Sequence, residues 1–212
     1  MRGIAFALSG TFVLAMLSTP AQAAPFLYNN GAPNQANGNE MTQWIQAEDF
    51  VLPGPTTLTS VRFWDVEGAY QGSIVWHIYA NNVNQPGGLL ASGTVSPTHV
   101  ATGNSLFFGN EFQDDFAFNV ALAPGTYWLG LHNGPLTTTT REEFYWETTN
   151  GNGTSRGNED EVPFGDNSWF NNSQEHAFIL SGEARALEPV PEPGSVLLFG
   201  TGLLMVLRKL RG

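Results

Sequence analysis

Nineteen carboxylates and four histidines supply most of the titratable chemistry of a 212-residue chain that contains no cysteine. Without thiols there are no disulfides, no thiol nucleophile and no thiolate metal ligands, so stability has to come from a packed core. His77, His99, His132 and His176 fall on separate segments, and an isolated strand histidine is more often a hydrogen-bonded structural residue than a base or a ligand. The neighbouring acids Asp114-Asp115 and Glu142-Glu143 invite the two carboxyls of a glycosidase. Successive residues of a strand point to opposite faces, however, so a working pair has to be assembled from separate strands. No Gly-x-Ser-x-Gly elbow, His-Glu-x-x-His, Gly-x-x-x-x-Gly-Lys or Asp-x-Asp-x-Asp-Gly loop occurs. These absences favour a non-enzymatic protein, with a carbohydrate-active hydrolase as the alternative.

Two binding chemistries compete with catalysis. If Ile74, Trp76, Ile78, Tyr127, Leu129 and Leu131 face a core, then Tyr79, Trp128 and His132 face away from it, joined by Trp64. Flat rings beside acidic and amide groups can stack on sugar faces and bond their hydroxyls. The plainer alternative is that loops cover both faces and the rings are core. Oxygen-bearing Asn158, Glu159, Asp160 and Asp166 cluster in a Gly/Asn-rich stretch and would suit calcium, a hard cation. They lack the ligand spacing of a known calcium loop, so a hydrated acidic loop is the simpler reading. No other cofactor is indicated.

The elements that position these groups are strands. Period-two alternation between turn clusters marks 42–52, 57–64, 73–79, 89–95, 112–120, 126–132, 143–149 and 175–183. Pro53-Gly54-Pro55, Pro86-Gly87-Gly88, Pro124-Gly125 and Asn133-Gly134-Pro135 separate them. No window carries a helical apolar stripe. Residues 29–39 and 150–166, rich in Asn and Gly, read as loops. The pattern predicts one all-β domain over residues 24–188, an antiparallel, jelly-roll-like β-sandwich.

Both ends differ from this domain. Arg2, the apolar run 4–17 and the small residues Ala21 and Ala23 form an export signal helix over residues 1–23, cleaved before Ala24. Residues 189–212 hold Val190-Pro191-Glu192-Pro193, an apolar run and the basic Arg208, Lys209 and Arg211. The run from Ser195 to Leu207 makes a helix of roughly 20 Å, short of the ~30 Å hydrocarbon core. It engages the membrane transiently rather than anchoring the chain for life. Pro191 and Pro193 keep Glu192 in extended, accessible backbone.

This tail resembles the PEP-CTERM sorting domain, also catalogued as the ice-binding protein C-terminal domain. The resemblance implies an exosortase as processing partner and a Gram-negative host that makes exopolysaccharide. It also implies passage through the inner membrane to the cell surface or extracellular matrix. Phrases such as Gln85-Pro86-Gly87-Gly88-Leu89 and Ala123-Pro124-Gly125-Thr126-Tyr127-Trp128 resemble the β-sandwich passengers found ahead of such tails. That second resemblance brings a fold and no assigned activity.

Between the two signals, residues 24–192 set four arginines and no lysine against all 19 carboxylates, a net charge of −15. So acidic a surface repels nucleic acid and anionic headgroups and keeps the domain soluble. Together these readings predict an exported, non-enzymatic surface or matrix protein with polysaccharide as its ligand.

Overall fold

Alternating apolar residues need two faces to bury, and two sheets supply them. The computed structural model describes residues 26–106, 109–150, 156–161, 164 and 168–185. These contain strands β1 (Phe26–Asn29), β2 (Pro33–Glu40), β3 (Trp44–Leu52), β4 (Thr56–Glu67), β5 (Ile74–Asn81), β6 (Pro86–Val95) and β7 (Thr98–Leu106). They continue with β8 (Gly109–Leu122), β9 (Gly125–Asn133), β10 (Phe144–Thr149), β11 (Asn158–Glu161), β12 (Phe170–Asn171) and β13 (Phe178–Ala184). The expected export signal helix with Ala21 and Ala23, the segment 189–212 with its sorting residues and expected short helix, and Asp166 lie outside the described residues.

Every pairing is antiparallel. In the first sheet β4 is central: β8 runs along one edge with β7 beyond it, while β13 and β10 share the other edge, backed by β1 and β2. The second sheet has the order β12-β11-β3-β9-β5-β6. Within it, β3-β9-β5-β6 oppose β1-β13-β4-β8 of the first, and most successive strands of this framework switch sheets. That connectivity is two interlocked Greek keys, the jelly-roll arrangement the turn spacing predicted.

The core forms where the inner faces meet. Leu58, Val61, Phe63, Phe116, Trp146, Phe178 and Leu180 of the first sheet pack against Phe50, Leu52, Ile74, Trp76, Ile78, Leu129 and Leu131 of the second. Burying each such side chain contributes about 1.5–3 kcal/mol before chain entropy is charged against it. Ile74, Trp76, Ile78, Leu129 and Leu131 thus point inward as the alternation required, with Tyr127 at the margin.

Two expected loops are partly strands. Residues 33–39 of the first expected loop, with Glu40, form β2, and residues 158–161 of the second form β11. β7, which the pattern did not mark, is an exposed strand against β8. All three are polar and lie in edge or near-edge positions. Backbone hydrogen bonds to β10, β3 and β8 define them, so they carry no apolar alternation to read.

Candidate functional sites

Tyr79, Trp128 and His132 lie on the face of the second sheet that turns away from the core, Tyr79 directly opposite Trp128 across β5 and β9. They do not form an open platform. Trp128 and His132 are fully buried, and Trp169 and Phe164 meet Tyr79 and His132 edge-on at 5.3 and 4.9 Å. The Trp128 indole N–H donates to Asn81 Oδ1 at 3.0 Å, and the His132 ring nitrogens lie 3.0 and 2.8 Å from the Gly134 and Thr42 carbonyls. Ala47, Tyr79 and Trp128 make a second small core under Trp169. Trp64 belongs to β4 in the other sheet, opposite Gln113. The four-residue platform is therefore corrected: alternation gave the faces properly, but Phe164 and Trp169 lie over one of them.

What remains of that face is a pocket of about 420 Å³ lined by Ile45, His77, Tyr79, Leu89, Leu136 and Phe164. Its floor needs Gly130, where a Cβ would sit 2.8 Å from the Tyr79 ring. Burial, and secondarily His132, pushes the His77 imidazole down to about 4, so it is neutral at ordinary pH.

The calcium set is also dispersed. On β11, Asn158 and Asp160 stand opposite Ala47 and Ile45, while Glu159 points the other way and accepts from Gln46 Nε2 at 3.2 Å. Asn158 donates its amide to the Arg156 carbonyl at 2.6 Å. Strand geometry sends adjacent side chains to opposite faces, so these oxygens do not converge on one cation.

A polar cleft opens where β2 and β10 of one sheet approach β3 and β11 of the other. About 260 Å³ is bounded by Trp44, Tyr145, Asn39, Gln46, Arg141 and Glu159. Trp44 and Tyr145 are half-buried and Arg141 is exposed. The turn that carries Trp44 is fixed from beneath: the Glu40 carboxylate accepts the N–H groups of Thr42, Gln43 and Glu142 at 2.8, 2.9 and 3.1 Å. Arg141 hydrogen-bonds to Tyr145, which raises the guanidinium pKa further and orients the ring. Rings, an amide, a cation and a carboxylate thus line one open recess, held on rigid strands. The sequence reading missed it because its residues come from four strands, two of them polar ones, and from the segment before β10.

Among the described residues, two buried clusters bring carboxylates of separate strands together across the first sheet. On the outer side of the first sheet, Glu111 of β8 accepts from Gln35 Nε2 and from Asn104 Nδ2, and hydrogen-bonds with Glu147 of β10. A hydrogen bond from the Gln35 backbone pulls the Glu147 pKa down but is outweighed. Burial first, and Glu111 second, push Glu147 up to about 8, so the shared proton sits on Glu147 while Glu111 is held low by its donors.

The second meeting is on the inner side, at one end of the core. Asp65 of β4 and Asp114 of β8 are fully buried, and Glu67 and His99 stand between them and solvent. His99 Nδ1 is 2.6 Å from Asp114 Oδ1 and its Nε2 is 3.2 Å from Glu67 Oε1. The ring is clamped between Phe112 at 4.0 Å and Tyr70 at 4.7 Å, nearly parallel to both. Asp65 is pushed up by burial and then by Asp114 and Glu67.

Residues 189–211 match the family model of the PEP-CTERM protein-sorting motif. The chain therefore carries that motif, which marks an exported protein handled by an exosortase and sorted to the envelope or surface of a Gram-negative bacterium. No curated protein matches the chain.

Proposed function

We propose that this chain is an exosortase-sorted surface or extracellular-matrix protein whose β-sandwich binds polysaccharide without cleaving it, through the cleft between Trp44 and Tyr145. The observation that carries this reading is the cleft itself: two half-buried rings flank Asn39, Gln46, Arg141 and Glu159 in an open, polar recess. Rings offer apolar area to the C–H faces of a sugar, while the Asn39 amide, the guanidinium and the Glu159 carboxylate match its hydroxyls, and Gln46, buried and bonded to Glu159, Glu40 and Asn172, holds the wall in place. The net charge of −15 between the two signals favours a neutral or cation-bridged glycan over a polyanion.

The hydrolase alternative needs two accessible carboxyls about 5–10 Å apart. Glu111 with Glu147, and Asp65 with Asp114, are instead buried pairs, and the first is in direct hydrogen-bond contact. That favours binding over hydrolysis. Screening the mature protein against exopolysaccharide extracted from the host and against a glycan array, with reducing ends assayed in parallel, tests the reading. Retention without release supports it; release of reducing ends assigns the protein to the hydrolases instead, and recovery of the mature protein from the cytoplasm would remove the surface role.

A further inference from the structure

We propose that Asp65, His99 and Asp114, with Glu67 at the rim, form a binding site for one divalent transition-metal cation of the zinc or manganese kind. Among the described residues, these three offer ligand atoms that all lie within 4.8 Å of one another. Two ligands of a common ion at about 2.0–2.2 Å stand roughly 3–4 Å apart, so small side-chain shifts close the shell.

The independent sign of a ligand is the state of the carboxylates. Asp65 is fully buried with no hydrogen-bond partner for either oxygen, and Asp114 Oδ2 and Glu67 Oε2 are also unpartnered. Buried polar atoms are almost always paired, and four orphan carboxylate oxygens around one imidazole describe a place for a cation. Among the described residues no arginine ion pair reaches it: the arginine nearest in sequence, Arg62, is bound to Asp115 on the opposite face of the same strands.

The donor set selects the metal. One imidazole nitrogen with two or three carboxylates suits zinc, manganese or ferrous iron, whereas calcium and magnesium prefer an all-oxygen shell. The site is also preorganised. Phe112 and Tyr70 hold the His99 ring by its two faces, so little side-chain freedom is lost on binding. Entry is through the rim, where the side chains of His99 and Glu67 are 20% and 13% exposed. The ion takes its place between the His99 ring nitrogen and the carboxylates that now stand 2.6 and 3.2 Å from the ring.

The test uses the mature protein, stripped with chelator and reloaded. Zinc or manganese chloride is expected to bind at one ion per chain by elemental analysis after desalting and to raise the Tm by about 5–10 °C at a hundredfold excess over Kd, with calcium giving little. Asp65→Asn is expected to fold, since an amide of the same shape replaces a buried acid that has no protein partner, and to lose both the bound ion and the Tm shift. Asp115→Asn, one residue from Asp114 but on the outer face, is expected to keep both. In the parent protein, zinc is expected to shift the His99 ring resonances and leave those of His132 and His176 in place, which needs no variant to fold. No bound ion at millimolar zinc or manganese, equal binding by Asp65→Asn, or an unmoved His99 ring would each overturn the site.

Discussion

Glu147 holds a proton that the unfolded chain would release, and this makes a pH-dependent prediction for Glu147→Gln. Its carboxyl is fully buried and leans on Glu111, and the Gln35 backbone offsets only part of that, so its folded pKa is near 8 against 4.5 in an unfolded chain. A raised folded pKa means that the native state binds more protons than the unfolded one across this interval. Stability therefore falls as pH rises from about 4.5 and levels off above about 8. Integrating the proton difference gives a cost of about 1 kcal/mol at pH 5, about 3 kcal/mol at pH 7 and between 4 and 5 kcal/mol at pH 9. Glutamine mimics the protonated acid: its N–H can donate to Glu111, leaving the Gln35 and Asn104 bonds to Glu111 intact. Glu147→Gln should therefore raise the Tm by several degrees at pH 7 and by more at pH 9, with little change at pH 5. Thermal melts of parent and variant across that range measure the difference. A gain that does not grow with pH, or a loss at pH 8, would refute the placement of the proton.

Other substitutions probe the remaining parts of the account. Trp128→Ala removes a fully buried ring and leaves Asn81 without its donor, so a loss of about 3–5 kcal/mol in denaturant melts is expected, with polysaccharide retention unchanged in whatever remains folded. Asp115→Ala breaks the forked contact to Arg62, but both side chains are more than a third exposed, and the expected cost in the same melts is under about 1 kcal/mol. Gly130→Ala drives a methyl into the Tyr79 ring and the Ile45 side chain, so a lower Tm and a displaced Tyr79 ring by NMR are expected. Replacing Pro191-Glu192-Pro193 by alanines should leave unprocessed protein in the inner-membrane fraction, followed by immunoblot of fractionated cells.

Much of this architecture was readable in the sequence because burial leaves a period. Ile74, Trp76 and Ile78 alternate with Val75, His77 and Tyr79, and that pattern alone fixes which side of β5 enters the core. What alternation leaves open is whether the second side is also covered, and Phe164 and Trp169 cover it from more than thirty residues further along the chain. β2 and β7 were hidden for a related reason: Asn, Gly and Thr at an edge contribute backbone pairing rather than apolar area. The two meetings of carboxylates were out of reach altogether. Glu111 and Glu147, or Asp65, His99 and Asp114, are brought together by register across β7, β8, β4 and β10, and no local spacing encodes that register. Asp114 and Asp115 illustrate the part that was legible, since they do point to opposite faces, one to His99 and one to Arg62. Glu142 and Glu143 precede β10, so the same rule does not govern them.

The central claim is that the cleft between Trp44 and Tyr145 holds polysaccharide, and retention of the mature Trp44→Ala/Tyr145→Ala variant on extracted exopolysaccharide tests it most directly. Each ring is worth about a tenfold change in affinity, so the double variant should bind about a hundredfold more weakly than the parent while melting as one cooperative domain. A folded double variant retained as strongly as the parent would contradict the claim.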